Sequence, residues 1–267
     1  MYPIINFFGF NFYTYSLMAI VGFMAVIIFC RIRCRQTGID FENTLYMIVF
    51  ALLGLVIFAI LLYWLTRIKD IIHLFPYIFT DFSYFRNQIG IGLVFYGGLI
   101  GAFIGCIAYG KLMYKDIRAM LQMTVPCIPL FHFFGRLGCF CAGCCHGIEN
   151  EQFGIAYTNS FSSLNGIPYL PIQLYEAAGN LVIFLVLVFR NRKSQSCYEA
   201  IGIYTVSYGI MRFILEFFRG DTIRGHLGSL STSQWLSLIL IPFGIYCLVC
   251  PPEKNIFNRL LIPDRIY

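Results

Sequence analysis

Charged residues are scarce in this chain. Asp, Glu, Lys and Arg make up 12% of its 267 residues, about half the share usual in soluble domains. With 13 acidic and 19 basic side chains, it cannot cover a water-facing surface. That excludes a soluble globular enzyme, and a hydrophobic content of 59% excludes a disordered chain and a nucleic-acid binder. No Lys or Arg precedes the first apolar run and no small-residue cleavage site follows it, so no cleavable signal peptide is expected. Internal repeats and low-complexity tracts are missing too, which counts against a transporter built from duplicated halves. The 11 cysteines follow no secreted disulfide pattern; several sit inside apolar stretches, where Cys behaves as a small hydrophobe.

What the chain has instead is long apolar runs. A spanning helix takes about 20 apolar residues. Seven such segments read at approximately residues 12–30, 44–65, 90–110, 120–134, 171–189, 200–218 and 233–250. The fourth is short and runs on into a glycine- and cysteine-rich stretch. Arg31, Arg33 and Arg35 follow the first segment, Lys111, Lys115 and Arg118 the third, Arg190, Arg192 and Lys193 the fifth, and Lys254, Arg259 and Arg265 the seventh, which puts 12 of 19 basic residues on one side. Excess Lys and Arg mark the cytoplasm, so the N-terminus is expected outside and the C-terminus inside. The expectation is an all-α integral membrane protein with about seven transmembrane helices in a single domain over residues 1–267. Two outer connections are long. Residues 66–89, with Asp70, His73, Pro76, Asp81 and many aromatics, read as an arm at headgroup level; residues 135–170 form the other. Arg67, Lys69, Arg86, Arg136, Arg212, Arg219 and Arg224 lie on that side or at membrane depth and need another explanation.

Charge at membrane depth costs at least about 2.5–3.5 kcal/mol per residue, which makes each instance a functional candidate. Arg136, Glu176, Arg212, Glu216 and Arg219 stand out. In MRFILEFFRG, Arg212 and Glu216 are four apart and Glu216 is three from Arg219, a spacing that puts all three on one helical face. Such a bracket can simply lock two helices together. Alternatively its surplus positive charge, with Arg136, receives an anion; guanidinium forks match phosphate oxygens, and a phospholipid headgroup is the anion at that depth. PIQLYEAAGN opens the fifth segment with Pro171 in a first-turn position and carries Gln173, Tyr175, Glu176 and Asn180 inward, Gln173 and Glu176 lining a cavity.

The run FHFFGRLGCFCAGCCHG, residues 131–147, places Gly135, Gly138, Gly143 and Gly147 where they suggest a compact loop against a ligand. His132, Cys139, Cys141, Cys144, Cys145 and His146 resemble metal ligands only superficially: five crowd into eight residues, whereas zinc sites usually use two separated pairs. Small residues filling a tight loop account for them, and no metal is expected, although a vicinal Cys144–Cys145 pair could oxidise on the outer face. In YGGLIGAFIG, Gly101 and Gly105 form a helix-packing pair, while Gly97 and Gly98 read as a kink or re-entrant bend beside a site.

Taken in order, these segments resemble the prolipoprotein diacylglyceryl transferases, seven-span enzymes of the bacterial inner membrane. FYTYSLM resembles the family's aromatic-Tyr-Gly-Leu-Met entry segment, with Tyr15 on its tyrosine. FYGGLIGA resembles its His-Gly-Gly-Leu-Ile-Gly segment, and GRLGCFCAGCCHG its Gly-Arg-hydrophobic-Gly-Asn-Phe-x-Asn-Gly signature. PIQLYEA and YGIMRFILEFFRG match its Pro-Ser-Gln-Leu-Tyr-Glu helix start and its Arg-x-x-x-Glu-x-x-Arg helix. The departures are Tyr96 at the family's histidine, a proposed base, Cys139 and Ala142 at its two asparagines, and Cys144 at an acidic position.

The resemblance implies transfer of a diacylglyceryl group from phosphatidylglycerol to the lipobox cysteine thiol of a prolipoprotein signal peptide, without a cofactor. It implies phosphate binding by Arg136 and Arg212, oriented by Glu216 and Arg219. Gly138 and Gly147 would shape the loop around Cys139, Tyr15 line the cavity beside Gly97 and Gly98, and Gln173 and Glu176 position lipid or peptide. With Tyr96 a poor base at neutral pH, His146 or Glu216 is expected to take its part, or the arginine field alone activates the thiol. The alternative is a phospholipid-binding membrane paralog without transferase chemistry.

Overall fold

A computed structural model describes residues 1–7, 9–90, 94–159, 166–190, 196–220 and 226–262. Arg192, Lys193, Arg224 and Arg265, and the side chain of Tyr96, lie outside the described residues. The chain begins with an antiparallel hairpin, β1 (Ile4–Phe7) and β2 (Phe10–Tyr13), ahead of α1 (Thr14–Thr37). The first long helix therefore starts two residues later than its apolar run. Then come α2 (Phe41–Thr66), the short helices α3 (Ile68–Leu74), α4 (Tyr77–Thr80) and α5 (Phe82–Ile89), and α6 (Phe95–Leu112). Next are α7 (Arg118–Thr124), α8 (Cys127–Ala142), α9 (Ile172–Arg190), α10 (Cys197–Glu216), α11 (Thr232–Val249) and α12 (Asn258–Leu261). Two-residue strands β3 (Ile155–Ala156), β4 (Pro168–Tyr169), β5 (His226–Leu227) and β6 (Leu230–Ser231) pair locally as β3–β4 and β5–β6.

Among the described residues, five helices are long and apolar enough to cross a membrane: α1, α2, the α7–α8 run over Arg118–Ala142, α9 and α11. Of the other two apolar segments, α6 has an apolar run over Gly97–Leu112 among the described residues, and α10 carries Glu199, Arg212 and Glu216. The spanning helices turn large apolar side chains outward: Ile20, Phe23, Met24 and Ile28 on α1, and Leu53, Val56, Ile57 and Leu61 on α2, are all exposed. In water such faces would be a liability; against lipid tails they are the favourable surface.

The fourth segment departs most from its sequence reading. A break at Val125–Pro126 separates α7 from α8, and α8 continues through residues 135–142, which the glycine pattern had assigned to a loop. Gly135 and Gly138 are ordinary helical residues. The chain turns only at Gly143, whose φ of 70° is left-handed. Glycine is favoured there because it has no Cβ to clash.

By its internal contacts the chain divides into two compact units. The first comprises residues 1–38 and 119–255. In it α1 lies along α8, with a buried stripe of Gly22, Val26, Cys30 and Cys34 at four-residue spacing. A Cβ on Gly22 would stand 2.9 Å from Phe134 Cβ, so the helices meet at backbone distance. Val125, Ile183, Leu187, Ala200, Tyr204 and Tyr208 form its apolar core. The second unit comprises residues 39–118 and 256–267. Here α2 and α6 pack through glycines: a Cβ on Gly101 would lie 2.1 Å from Gly54 O, and one on Gly97 2.3 Å from Phe58 O. Gly97 is thus a packing residue inside a regular helix rather than part of a bend, and buried Gly98 rests on Leu55. The helices α3, α4 and α5 and the junction at Phe75 expose Ile68, Ile72, Phe75, Phe79 and Phe82, with Arg67 tied to Asp70 at 2.9 Å.

Candidate active site

Glu176 is the hub of the first unit. The helix α9 turns Gln173, Glu176 and Asn180 to the interior, all three fully buried. Arg136 Nη2, from α8, donates to Glu176 Oε1 at 2.7 Å. On the other carboxylate oxygen converge Arg212 Nη1 at 3.8 Å and Arg219 Nη1 at 3.9 Å. Arg212 Nη2 pairs with Glu216 at 2.6 Å, one turn along α10, and donates to Ser233 Oγ at 3.1 Å. Three guanidinium groups therefore face two carboxylates, leaving one positive charge in a buried setting. Arg212 Nη1 has no hydrogen-bond partner among the described residues. A buried cation with a spare donor is a costly arrangement, and an incoming anion relieves it.

The arrangement corrects the helical bracket read from sequence. The helix α10 ends at Glu216, and Phe217, Phe218 and Arg219 follow in tighter turns, with Arg219 N donating to Glu216 O at 3.3 Å. Arg219 therefore lies beyond the helix, yet its guanidinium reaches the same Glu176 oxygen as that of Arg212. The long-range partner of all three arginines, 40 residues from Arg136 in sequence, is one carboxylate.

The cysteine-rich turn closes one side. Cys144 N bonds back to Cys139 O, and Cys145 has a left-handed φ of 59°. The result folds Cys144 and Cys145 over the end of α8, where their sulfurs and that of buried Cys139 all lie within 4.8 Å of one another. The Cys145 thiol is held well below the usual cysteine range: hydrogen bonds with Cys139 and Cys144 favour its thiolate, and against opposing burial Arg219 and Arg136 add to that. Gln173 pins the turn, its Nε2 donating to Cys144 O at 2.6 Å while its Oε1 accepts from Tyr157 Oη at 3.1 Å. Burial pushes the Tyr157 phenol up despite that donation.

His146 lies between two tyrosine rings, 4.5 Å from Tyr169 and 6.3 Å from Tyr157, with Nδ1 2.8 Å from Gly147 O. A carbonyl only accepts, so Nδ1 is the donor in this contact, and in the neutral ring the lone pair is on Nε2. Gly147 pairs with Arg219 in an isolated antiparallel bridge, and a Cβ on it would stand 2.6 Å from Ile172 Cγ1. Gly138 lets Tyr15 of α1 approach, and half-exposed Tyr15 stands within electrostatic reach of Arg136, Cys139, Cys144 and Cys145.

Of the residues singled out from sequence, Arg136, Arg212, Arg219, Glu176, Glu216, Gln173, Cys139, Gly138, Gly147, His146 and Tyr15 fall in this unit. Gly97 and Gly98 fall in the other. Sequence reasoning missed Ser233 and Tyr157, the polar supports of Arg212 and Gln173. Neither belongs to a motif; only the capping pattern around Ser231–Gln234 marks the vicinity of Ser233.

A membrane protein with several spans and a buried arginine–carboxylate cluster poised for an anion is the class that fold and site define. The chain matches the prolipoprotein diacylglyceryl transferase family over residues 3–250, and it belongs to that family. It is 34% identical over 240 residues to the phosphatidylglycerol–prolipoprotein diacylglyceryl transferase of Clostridium tetani, covering 90% of this chain and 93% of the relative. It is 32% identical to enzyme 2 of that name from Clostridium perfringens, over 89% and 90% of the two chains. With the enzyme from Campylobacter curvus it shares 29% identity over 89% of each.

Proposed function

We propose that this protein transfers the diacylglyceryl group of phosphatidylglycerol to the thiol of a lipobox cysteine in a prolipoprotein, releasing glycerol phosphate, at the outer face of a bacterial plasma membrane. One observation carries the reading: three arginines gathered on Glu176 with a net positive charge, the Nη1 of Arg212 making no hydrogen bond among the described residues. Family membership supports the substrates. We read seven spans, α6 and α10 completing the five, with the N-terminus outside, and the basic loops support that reading.

In this mechanism Arg212 and Arg136 hold the phosphate, and Glu216 and Glu176 fix their guanidinium planes. The thiolate attacks the glyceryl carbon, the carbon–oxygen bond to phosphorus breaks, and the electron pair leaves on the phosphate oxygen. Arginines in a water-poor setting stabilise that developing charge. Glu216 is committed to Arg212 at 2.6 Å, which makes it a positioning group rather than a base. His146 Nε2 is the lone pair available to take the thiol proton. Purified protein, phosphatidylglycerol and a lipobox peptide should give a peptide carrying the diacylglyceryl mass. A peptide of unchanged mass, with phosphatidylglycerol still bound, would favour a lipid-binding paralog.

A further inference from the structure

The chemistry above leaves the three clustered thiols without a role. Cys139, Cys144 and Cys145 offer sulfurs within 4.8 Å of one another. A tetrahedral zinc ion at its usual sulfur distance of about 2.3 Å sets sulfurs about 3.8 Å apart, so closure asks for a shift below about 1 Å. Three features suit an ion. Cys139 is buried at the end of α8, whereas Cys144 and Cys145 are half-buried, so an ion has an entry side. Cys144 is fixed from behind, its carbonyl accepting from Gln173 and its amide donating to Cys139 O. Cys145 is held in a left-handed conformation that a β-carbon-bearing residue adopts only when its surroundings impose it.

We propose that Cys139, Cys144 and Cys145 form a three-thiolate site for a thiophilic divalent ion of the zinc class, with its fourth position open to an external thiol. On binding, the thiols that are still protonated give their protons to the buffer as three metal–sulfur bonds form. An external thiol that fills the fourth position gives up its proton in the same way. That this thiol is the acceptor cysteine rests on the transferase reading; the metal site does not.

The test uses the full-length protein in detergent with a phosphine reductant, and cobalt(II) as a spectroscopic stand-in for zinc. Wild type should bind about one ion per chain with thiolate-to-cobalt charge-transfer absorption, and a cysteine-containing peptide should strengthen that band by about a third as a fourth thiolate joins. Cys139→Ser and Cys145→Ser should lose the band while Cys247→Ser, buried on α11, keeps it. Preloaded zinc should shield the three thiols of wild type from alkylation, a readout that needs no variant. Absence of the band in wild type, or its survival in the Cys139→Ser/Cys144→Ser/Cys145→Ser protein, overturns the site. A band indifferent to the peptide overturns the open fourth position. Lipidation of the peptide, measured separately, reports on the transferase reading whatever the metal result.

Discussion

Gly147 and Arg219 face each other as an antiparallel bridge pair, flanked by Ile148 N on Phe218 O at 2.9 Å and Gly220 N on His146 O at 3.3 Å. The turn that follows α8 and the segment that follows α10 are therefore one structural piece. Arg219 is aimed at Glu176 by backbone hydrogen bonds, not by a helix.

Gly147→Ala tests that coupling. The added methyl would meet Ile172 Cγ1 at 2.6 Å, Leu170 Cβ at 2.7 Å and Leu170 O at 2.8 Å. Overpacking of this kind costs about 1–3 kcal/mol, and the bridge is the element that gives way. Thermal unfolding should shift down by several degrees, and phosphatidylglycerol binding should weaken with it. Unchanged stability would mean that the bridge is dispensable.

Glu176→Gln removes the carboxylate from a fully buried position and leaves three guanidinium groups with one remaining partner. Breaking a buried pair by deleting one member typically costs about 3–5 kcal/mol. Glu216→Gln should cost less, because Arg212 retains Ser233 and Glu176 nearby. Comparing the two melting temperatures in the same detergent checks the order.

Arg212→Gln should leave the protein folded and reduce peptide lipidation by about 10²–10³-fold, the usual effect of removing one preorganised donor from a developing anion. The loss should fall on kcat more than on KM. Arg212→Lys should recover little, since an ammonium cannot serve Glu216, Ser233 and a phosphate together in a planar fork. A variant with wild-type kcat would remove Arg212 from the reaction.

His146→Ala should slow lipidation by about 10²-fold or more if Nε2 takes the thiol proton, while Tyr96→Phe should leave the rate unchanged. Equal rates in wild type and His146→Ala, measured by peptide mass, would end the role assigned to His146.

Two helical glycines predict opposite signs. A Cβ on Gly135 meets nothing within 4 Å, whereas one on Gly101 would lie 2.1 Å from Gly54 O. Gly135→Ala should raise stability by about 0.5–1 kcal/mol through helix propensity, and Gly101→Ala should lower it by forcing α2 and α6 apart. Melting curves of the two variants decide the matter.

The legible parts of this molecule were those with a local signature. Long apolar runs marked the helices, charge inside them marked Arg136, Glu176, Arg212 and Glu216, and the spacing of Gly101 and Gly105 marked a packed interface. What stayed hidden depends on where the chain returns. The convergence of three arginines on Glu176 joins helices 40 residues apart, which no periodicity reports. Arg219 kept helical spacing but left the helix, because backbone pairing with Gly147 outcompetes another turn of α10. Gly135 and Gly138 looked like loop residues, yet in α8 they serve a smooth helix surface, Gly138 admitting Tyr15. Sequence spacing speaks against a thiol cluster, whereas the fold, with left-handed turns at Gly143 and Cys145, brings its sulfurs together.

The polar content of α10 has a bearing on biogenesis. With Glu199, Arg212 and Glu216 along its 20 residues, this segment is a poor candidate for leaving the translocon alone, since an arginine at bilayer depth opposes entry by at least about 2.5–3.5 kcal/mol. Its counter-charge Glu176 is on α9 and the hydroxyl of Ser233 is on α11. On the seven-span reading proposed above, entry of α10 into lipid is a joint event with the segments made just before and just after it, and a nascent chain truncated ahead of Ser233 should stall with α10 outside the bilayer.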